Sequence, residues 1–232
     1  MSNRNAREYV MRHDQSLQQT RLANAFLIAP VAMHRQVASV FLGILLSLTS
    51  AGLTAAAPDG QEPYFPEGVL VPESAELDSF RNNWYSTHLR AMSEPILRPS
   101  PVSRTYRFTW LRTFHHPVTV RVVNAGDKVM LVATELSGAG GYEPGHVLRR
   151  KEVNLAAAQF ADIEAFVQQQ GFWNLPAHEK TFGLDGSEWI VEGATDKYHV
   201  VSRWSPESGS IRAIGEKVLA VAGWQFKADE TY

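Results

Sequence analysis

The sequence predicts an α+β fold: a single antiparallel β-sheet of about five to six strands, joined as a meander of hairpins, with helices packed on one face. Three observations lead there. From Arg104 onward apolar residues recur with a period of two in runs separated by turn residues. Helical spacing occurs before, between and after these runs. No βαβ alternation appears, which argues against a doubly wound parallel sheet.

The elements follow in chain order. Residues 57–73 carry Pro58, Pro63, Pro66 and Pro72 and predict an extended lead-in to a single domain over 74–232. Ser74 is a candidate N-cap for a first helix, with Leu77, Phe80, Trp84 and His88 spaced as its inner stripe. His88 on that stripe is expected to pack rather than to ligate. Tyr106, Phe108 and Trp110 alternate with Arg107, Thr109 and Leu111, a strand with one aromatic face. Two strands joined by Asn124–Asp127 follow. The glycine-rich stretch Ser137–Gly145 leads into a further strand rather than a helix, so it predicts a mobile hairpin loop and not a phosphate cradle. Asn154 is expected to cap a helix through Gln170, with Phe160, Ile163, Phe166 and Val167 inward and Gly171 beyond its end. A last hairpin and a helix capped by Ser208 or Ser210 complete the chain.

The N-terminal region bears on location. Val37–Pro58 is apolar and ends in small residues, and His34 and Arg35 precede it, the layout of a secretory signal peptide. We read residues 33–56 as that signal, cut after Ala56, with an uncleaved membrane anchor as the alternative. Both place the remaining chain outside the cytoplasm, and the membrane is a partner only through this segment. Residues 1–32 are read as an artefact of start-site choice or a disordered extension, with translation beginning at Met33. The chain beyond Ala56 holds 17 basic and 22 acidic residues, a net charge of −5. With an overall pI near 6.4 it offers no electrostatic footprint for nucleic acid. The absence of cysteine excludes disulfides, thiolate metal sites, a cysteine nucleophile and a lipid-modified cysteine.

The last hairpin holds the sequence's one acid–base constellation. A turn centred on Thr195–Asp196 sets Glu188 opposite Arg203, Glu192 opposite His199 and Ile190 opposite Val201, with a loop from Ala194 to Lys197. A Glu192–His199 pair would let a carboxylate hold an imidazole for general-base work, with Asp185 or Arg203 lining the site. The competing reading is cross-strand charge pairing. Glu188, Glu192, His199 and Arg203 are therefore the binding candidates, and no catalytic residue is assigned. No nucleophile motif accompanies them. His115, His116, His146 and His178 lack metal-ligand spacing, and neither metal nor cofactor is expected.

The run from Phe172 to Pro176, Gly183 to Gly193 and Tyr198 to Pro206, with Tyr106–Val122 upstream, resembles a family of exported bacterial proteins of unknown function. The resemblance spans roughly Phe80 to Trp224. It implies export and one α+β domain, and it carries no catalytic residue. The function expected is an exported, non-catalytic binding or accessory protein for a protein or small-molecule ligand. The alternative is a hydrolase-type enzyme using Glu192 and His199.

Overall fold

The computed structural model describes residues 61–181, 183 and 185–232. The start-site, signal and anchor expectations, and the beginning of the lead-in, lie outside these residues. Helix α1 spans Ala75–Ala91, α2 Ala157–Gln169 and α3 Ser210–Ala222. The strands are β1 Arg104–Arg112, β2 Val118–Ala125, β3 Lys128–Leu136, β4 Val147–Asn154, β5 Ser187–Ala194 and β6 Tyr198–Trp204. They form one antiparallel sheet in the order β4-β3-β2-β1-β5-β6. The α+β class and the single antiparallel sheet are as the sequence predicts. Among the described residues no helix is long and apolar enough to cross a membrane.

The placement of the helices differs from the expectation. Only α2 and α3 cover the face carrying Tyr106, Phe108 and Trp110, where Phe160, Ile163, Val167, Ile211, Ile214 and Val218 complete an apolar core. The opposite face is covered by α1 and the lead-in, through Phe65, Leu70, Tyr85 and Leu89 against Leu111, Ile190 and Val200. Both faces of the sheet are thus buried, which removes the one-sided alternation on which the sequence argument relied.

Helix α1 departs from its predicted stripe in its first two turns, while Trp84 is half-buried and His88 buried. Ser74 caps it as expected, accepting from the Leu77 N–H at 3.3 Å. Leu77 and Phe80 nevertheless face solvent, Phe80 at 65% exposure, while Asp78, Arg81, Asn82, Tyr85, Ser86 and Leu89 are buried. Polar residues turn inward because they have backbone and charge to satisfy. Asp78 accepts from the N–H groups of Gly68, Leu70 and Val71 at 2.8–2.9 Å. Asn82 donates to the Phe65 carbonyl at 2.8 Å. The lead-in is therefore an integral wall of the fold, folded around one buried carboxylate. His88 packs as expected, buried between the Trp84 and Ala139 carbonyls.

Helix α2 begins at Ala157 rather than after an Asn154 cap, because Asn154 still pairs with Met130 as the end of β4. The Gln159 side chain then takes the Ala156 N–H at 2.9 Å. Helix α3 starts behind Gly209, with no side-chain cap from Ser208 or Ser210.

Candidate functional site

The hairpin candidates come first, since the register decides them. The loop contains three residues, Thr195–Lys197, closed by the Thr195 N–H on the Lys197 carbonyl at 2.8 Å. An odd loop shifts the pairing by one residue: Glu188 faces Trp204, Trp189 faces Arg203, Glu192 faces Val200 and Gly193 faces His199. Glu192 and His199 therefore lie on opposite faces of the sheet and form no dyad. Glu188 and Arg203 are separated in the same way. The predicted register would have satisfied the charges within the hairpin; the structure satisfies them from neighbouring elements instead.

Glu192 is held by β1. Its carboxylate receives the Arg107 guanidinium in a two-point pair, 2.6 Å from Nε and 2.8 Å from Nη2, with both side chains fully buried. Tyr198 donates its hydroxyl to the same carboxylate at 2.9 Å. Arg107 also donates to the Pro95 carbonyl at 2.7 Å and lies 3.6 Å from Glu94, which pairs with Arg121 at 2.7 Å. Burial opposes the Arg107 charge, and Glu192, Glu94 and Tyr198 together outweigh it, so its pKa stands above the ordinary arginine value. Glu188 lies 3.7 Å from Arg81 of α1, whose guanidinium donates to Ser202 at 3.1 Å. Burial pushes the Glu188 pKa up, with Arg81 partly opposing it.

On the other face His199 has its Nε2 3.0 Å from the Leu175 carbonyl and its ring edge-on to Phe172. Burial lowers its pKa. Arg203 pairs with Glu179 at 2.8 Å and donates to the Pro176 carbonyl at 3.1 Å. It borders a recess of about 250 Å³ at the start of α3, but its donors are committed to its own chain. Asp185 is exposed. The four candidates thus serve three separate places and converge on none.

The histidines are equally dispersed. His115 meets the Tyr232 hydroxyl at 2.8 Å, His116 approaches Glu135 at 3.5 Å, His146 meets Ser137 at 3.0 Å and His178 meets Glu73 at 2.9 Å. The glycine-rich loop is packed rather than free. Gly140 donates to the Arg112 and His115 carbonyls at 2.7 and 3.1 Å, and its own carbonyl receives the Trp84 indole N–H at 2.7 Å. A Cβ on Gly140 would collide with the Leu111–Arg112 backbone, so glycine is required for this close approach.

A cleft of about 320 Å³ lies where β1 meets the end of α3 and the C-terminal segment. Trp110, Leu219, Trp224 and Phe226 supply its apolar walls, and Glu216, Gln225 and Thr231 its polar ones. Trp110 packs against Trp189 at 4.9 Å between ring centroids and edge-on to Phe226 at 5.3 Å. Arg112 lies over the Trp110 ring at 4.4 Å and Arg149 over Trp224 at 4.1 Å. The segment that closes one wall is pinned at Tyr232, whose main-chain oxygen accepts from Ser187 Oγ and from Trp189 Nε1. Trp110 is fully buried, yet its indole N–H has no acceptor among the described residues. A buried donor without a partner is uncommon and calls for an explanation, such as a water, an ion or a ligand. The sequence places Trp110 on the aromatic face of a strand and gives it no partner after the last helix. Only the tertiary return of the segment after Gly223 brings Trp224 and Phe226 beside Trp110, and the aromatic spacing of Trp224 and Phe226 was the sole local hint.

In comparisons with known proteins, no family model matches this chain and no curated protein matches it significantly.

Proposed function

We propose that this chain is an exported, non-catalytic binding or accessory protein whose ligand is a small ring-bearing molecule with an acceptor oxygen. The observation that carries the reading is the aromatic cleft lined by Trp110, whose buried indole N–H has no partner among the described residues. Apolar walls with one well-placed polar group are the usual make-up of a small-molecule site, and a volume near 300 Å³ is at the small end of such sites. The aromatic rings offer stacking surface, and an oxygen on the ligand would relieve the buried donor. Export rests on the basic, apolar and small-residue order of residues 34–57.

The binding test uses the indole N–H resonances of the six tryptophans, titrated with a set of cyclic ketones, lactones and methyl glycosides. A saturable shift of the Trp110 resonance is expected. Trp110→Phe, which keeps a ring and loses the donor, should weaken binding by about tenfold, the worth of one neutral hydrogen bond at the upper end of its range. No saturable shift, or undiminished affinity in Trp110→Phe, would overturn the reading. For export, fractionation should find the chain outside the cytoplasm with a new N-terminus at Ala57; full-length chain confined to the cytoplasm would refute it.

A further inference from the structure

The two edges of the sheet are finished differently. Along β6 the segment before β5 covers the edge: the Ser202 N–H donates to the Ala177 carbonyl at 2.7 Å, and His199 and Arg203 hold the carbonyls of Leu175 and Pro176. Strand β4 is exposed along almost its whole length, and among the described residues no hydrogen bond from another segment reaches its outer main chain. The Leu155 N–H donates inward to Val129 at 2.9 Å. In the β3–β4 register this turns Arg149, Lys151 and Val153 inward, toward Glu135, Ala133 and Leu131. Arg150, Glu152 and Asn154 therefore present their main-chain N–H and C=O groups outward. This is an open template for another strand.

The side chains on this edge select what can use it. Arg149, Arg150 and Lys151 are consecutive, opposed by Glu152 of the same strand and Glu135 of β3, in a chain whose overall charge is −2. A second copy fits poorly. In an antiparallel ladder outward-facing residues must meet outward-facing residues, so a two-fold axis always passes through a residue facing its own copy. Of the registers centred on the middle of β4, those on Arg149, Arg150 and Glu152 oppose like charges, and the one on Lys151 does so at its centre while setting Arg150 against Glu152 on either side. An acidic strand has the opposite sign at the same positions. On an antiparallel seventh strand the residues opposite Arg149 and Lys151 are two apart on one face, and the residue between them meets Arg150 on the other.

The basic side chains are already ordered. Arg149 is braced by Glu135 and stacked on Trp224, Arg150 pairs with Glu152 at 3.0 Å and donates to the Met92 carbonyl at 3.1 Å, and Lys151 donates to the Ala222 carbonyl at 2.8 Å. Each retains further donors, since a guanidinium has five and an ammonium three. Ordering before contact lowers the cost of association. We infer that the outer edge of β4 takes an extended acidic segment of a partner polypeptide as a seventh strand, main-chain hydrogen bonds supplying affinity and alternating carboxylates the specificity.

The probe is the acetylated peptide Thr-Glu-Val-Glu-Val-Glu-Thr, with its lysine-for-glutamate counterpart as control, titrated into the protein and followed by amide shifts and hydrogen exchange. The acidic peptide should saturate and protect the Arg150, Glu152 and Asn154 amides, and its affinity should fall steeply with salt. Glu152→Pro removes one outward N–H; an edge strand tolerates proline where that N–H faces solvent. It should reduce affinity by about tenfold or more while leaving circular dichroism and melting near those of the parent. The double variant Arg149→Gln/Lys151→Gln should weaken binding and flatten the salt dependence, and it decides the matter if the proline variant does not fold. Absence of saturation at millimolar peptide, equal binding of the lysine peptide, or unprotected outer amides would each overturn the inference.

Discussion

The two faces of the sheet are made from the same strands by different means. On the α2–α3 face, β1 contributes Tyr106, Phe108 and Trp110, and the helices answer with aliphatic and aromatic side chains. On the α1 face the same strand contributes Arg107, buried to 0% exposure against Glu192, and the helix answers with Arg81, Asn82 and Tyr85. The first face is held by non-directional apolar burial, which tolerates small errors of position. The second depends on charges whose partners must all be present, since a buried charge without one is costly. The difference shows why charge in a strand sequence does not by itself mark a solvent face.

The largest expected effect breaks the second face. Glu192→Gln leaves the Arg107 guanidinium buried with only Glu94, 3.6 Å away and already paired with Arg121, and should cost about 3–5 kcal/mol, the range for breaking one side of a buried ion pair. The double change Arg107→Met/Glu192→Leu removes both charges together, and the Arg121–Glu94 pair at 2.7 Å remains beside it. It should recover most of that loss, because well-packed apolar replacements of buried pairs are often neutral or stabilising. Urea titration of the three proteins separates the outcomes. A single variant that loses under 1 kcal/mol would mean that the two faces differ less than their composition implies.

A smaller effect breaks the first face by overfilling it. Gly215 of α3 lies against the rings of Phe108 and Trp189, and an added Cβ would come within 2.7–2.8 Å of them. Alanine is the better helix former, so on a free helix Gly215→Ala would stabilise by up to about 1 kcal/mol. Here the rings must shift, and overpacking of a filled core costs about 1–3 kcal/mol. A net loss in melting temperature is expected. A gain would show that this face has slack that the charged face lacks.

How much of this was legible in the sequence follows the same division. Strand positions, the β1–β4 meander, the β5–β6 hairpin and the two later helices were readable because period-two and helical patterns, Gly171 and the Asn124–Asp127 turn act locally, whereas the return of β5 beside β1 left no such mark. The Ser74 cap was readable for the same reason. The orientation of α1 was not, because what turns Asp78, Arg81 and Asn82 inward is the lead-in backbone and β6, neither of which leaves a mark in the helix's own pattern. The hairpin register failed for a related cause. With one face assumed solvated, Glu192 needed a cross-strand partner, and His199 was the nearest; with both faces buried, Arg107 on the adjacent β1 supplies the charge. The cleft was hidden because Trp110 and Trp224 are far apart in sequence and meet only through the chain's return after α3.

The smallest effect sharpens the comparison by probing one histidine on each face. His88 lies against the glycine-rich loop on the α1 face, and His199 lies among Phe172 and Trp173 on the other. Burial lowers both pKa values, more strongly than the nearby carbonyl oxygens raise them. A lowered histidine pKa means that the unfolded chain binds the proton more tightly. The stability each contributes is full above the unfolded value of about 6.5 and is lost as pH falls through the folded value. The melting temperature should therefore drop between pH 7.5 and pH 5, and His88→Gln and His199→Gln should each reduce that drop. The charged groups around His88 include Glu143, which favours its protonated form, whereas Lys197 and Arg203 near His199 disfavour it. A drop that persists unchanged in either variant would mean that the histidine on that face contributes nothing to the acid loss of stability.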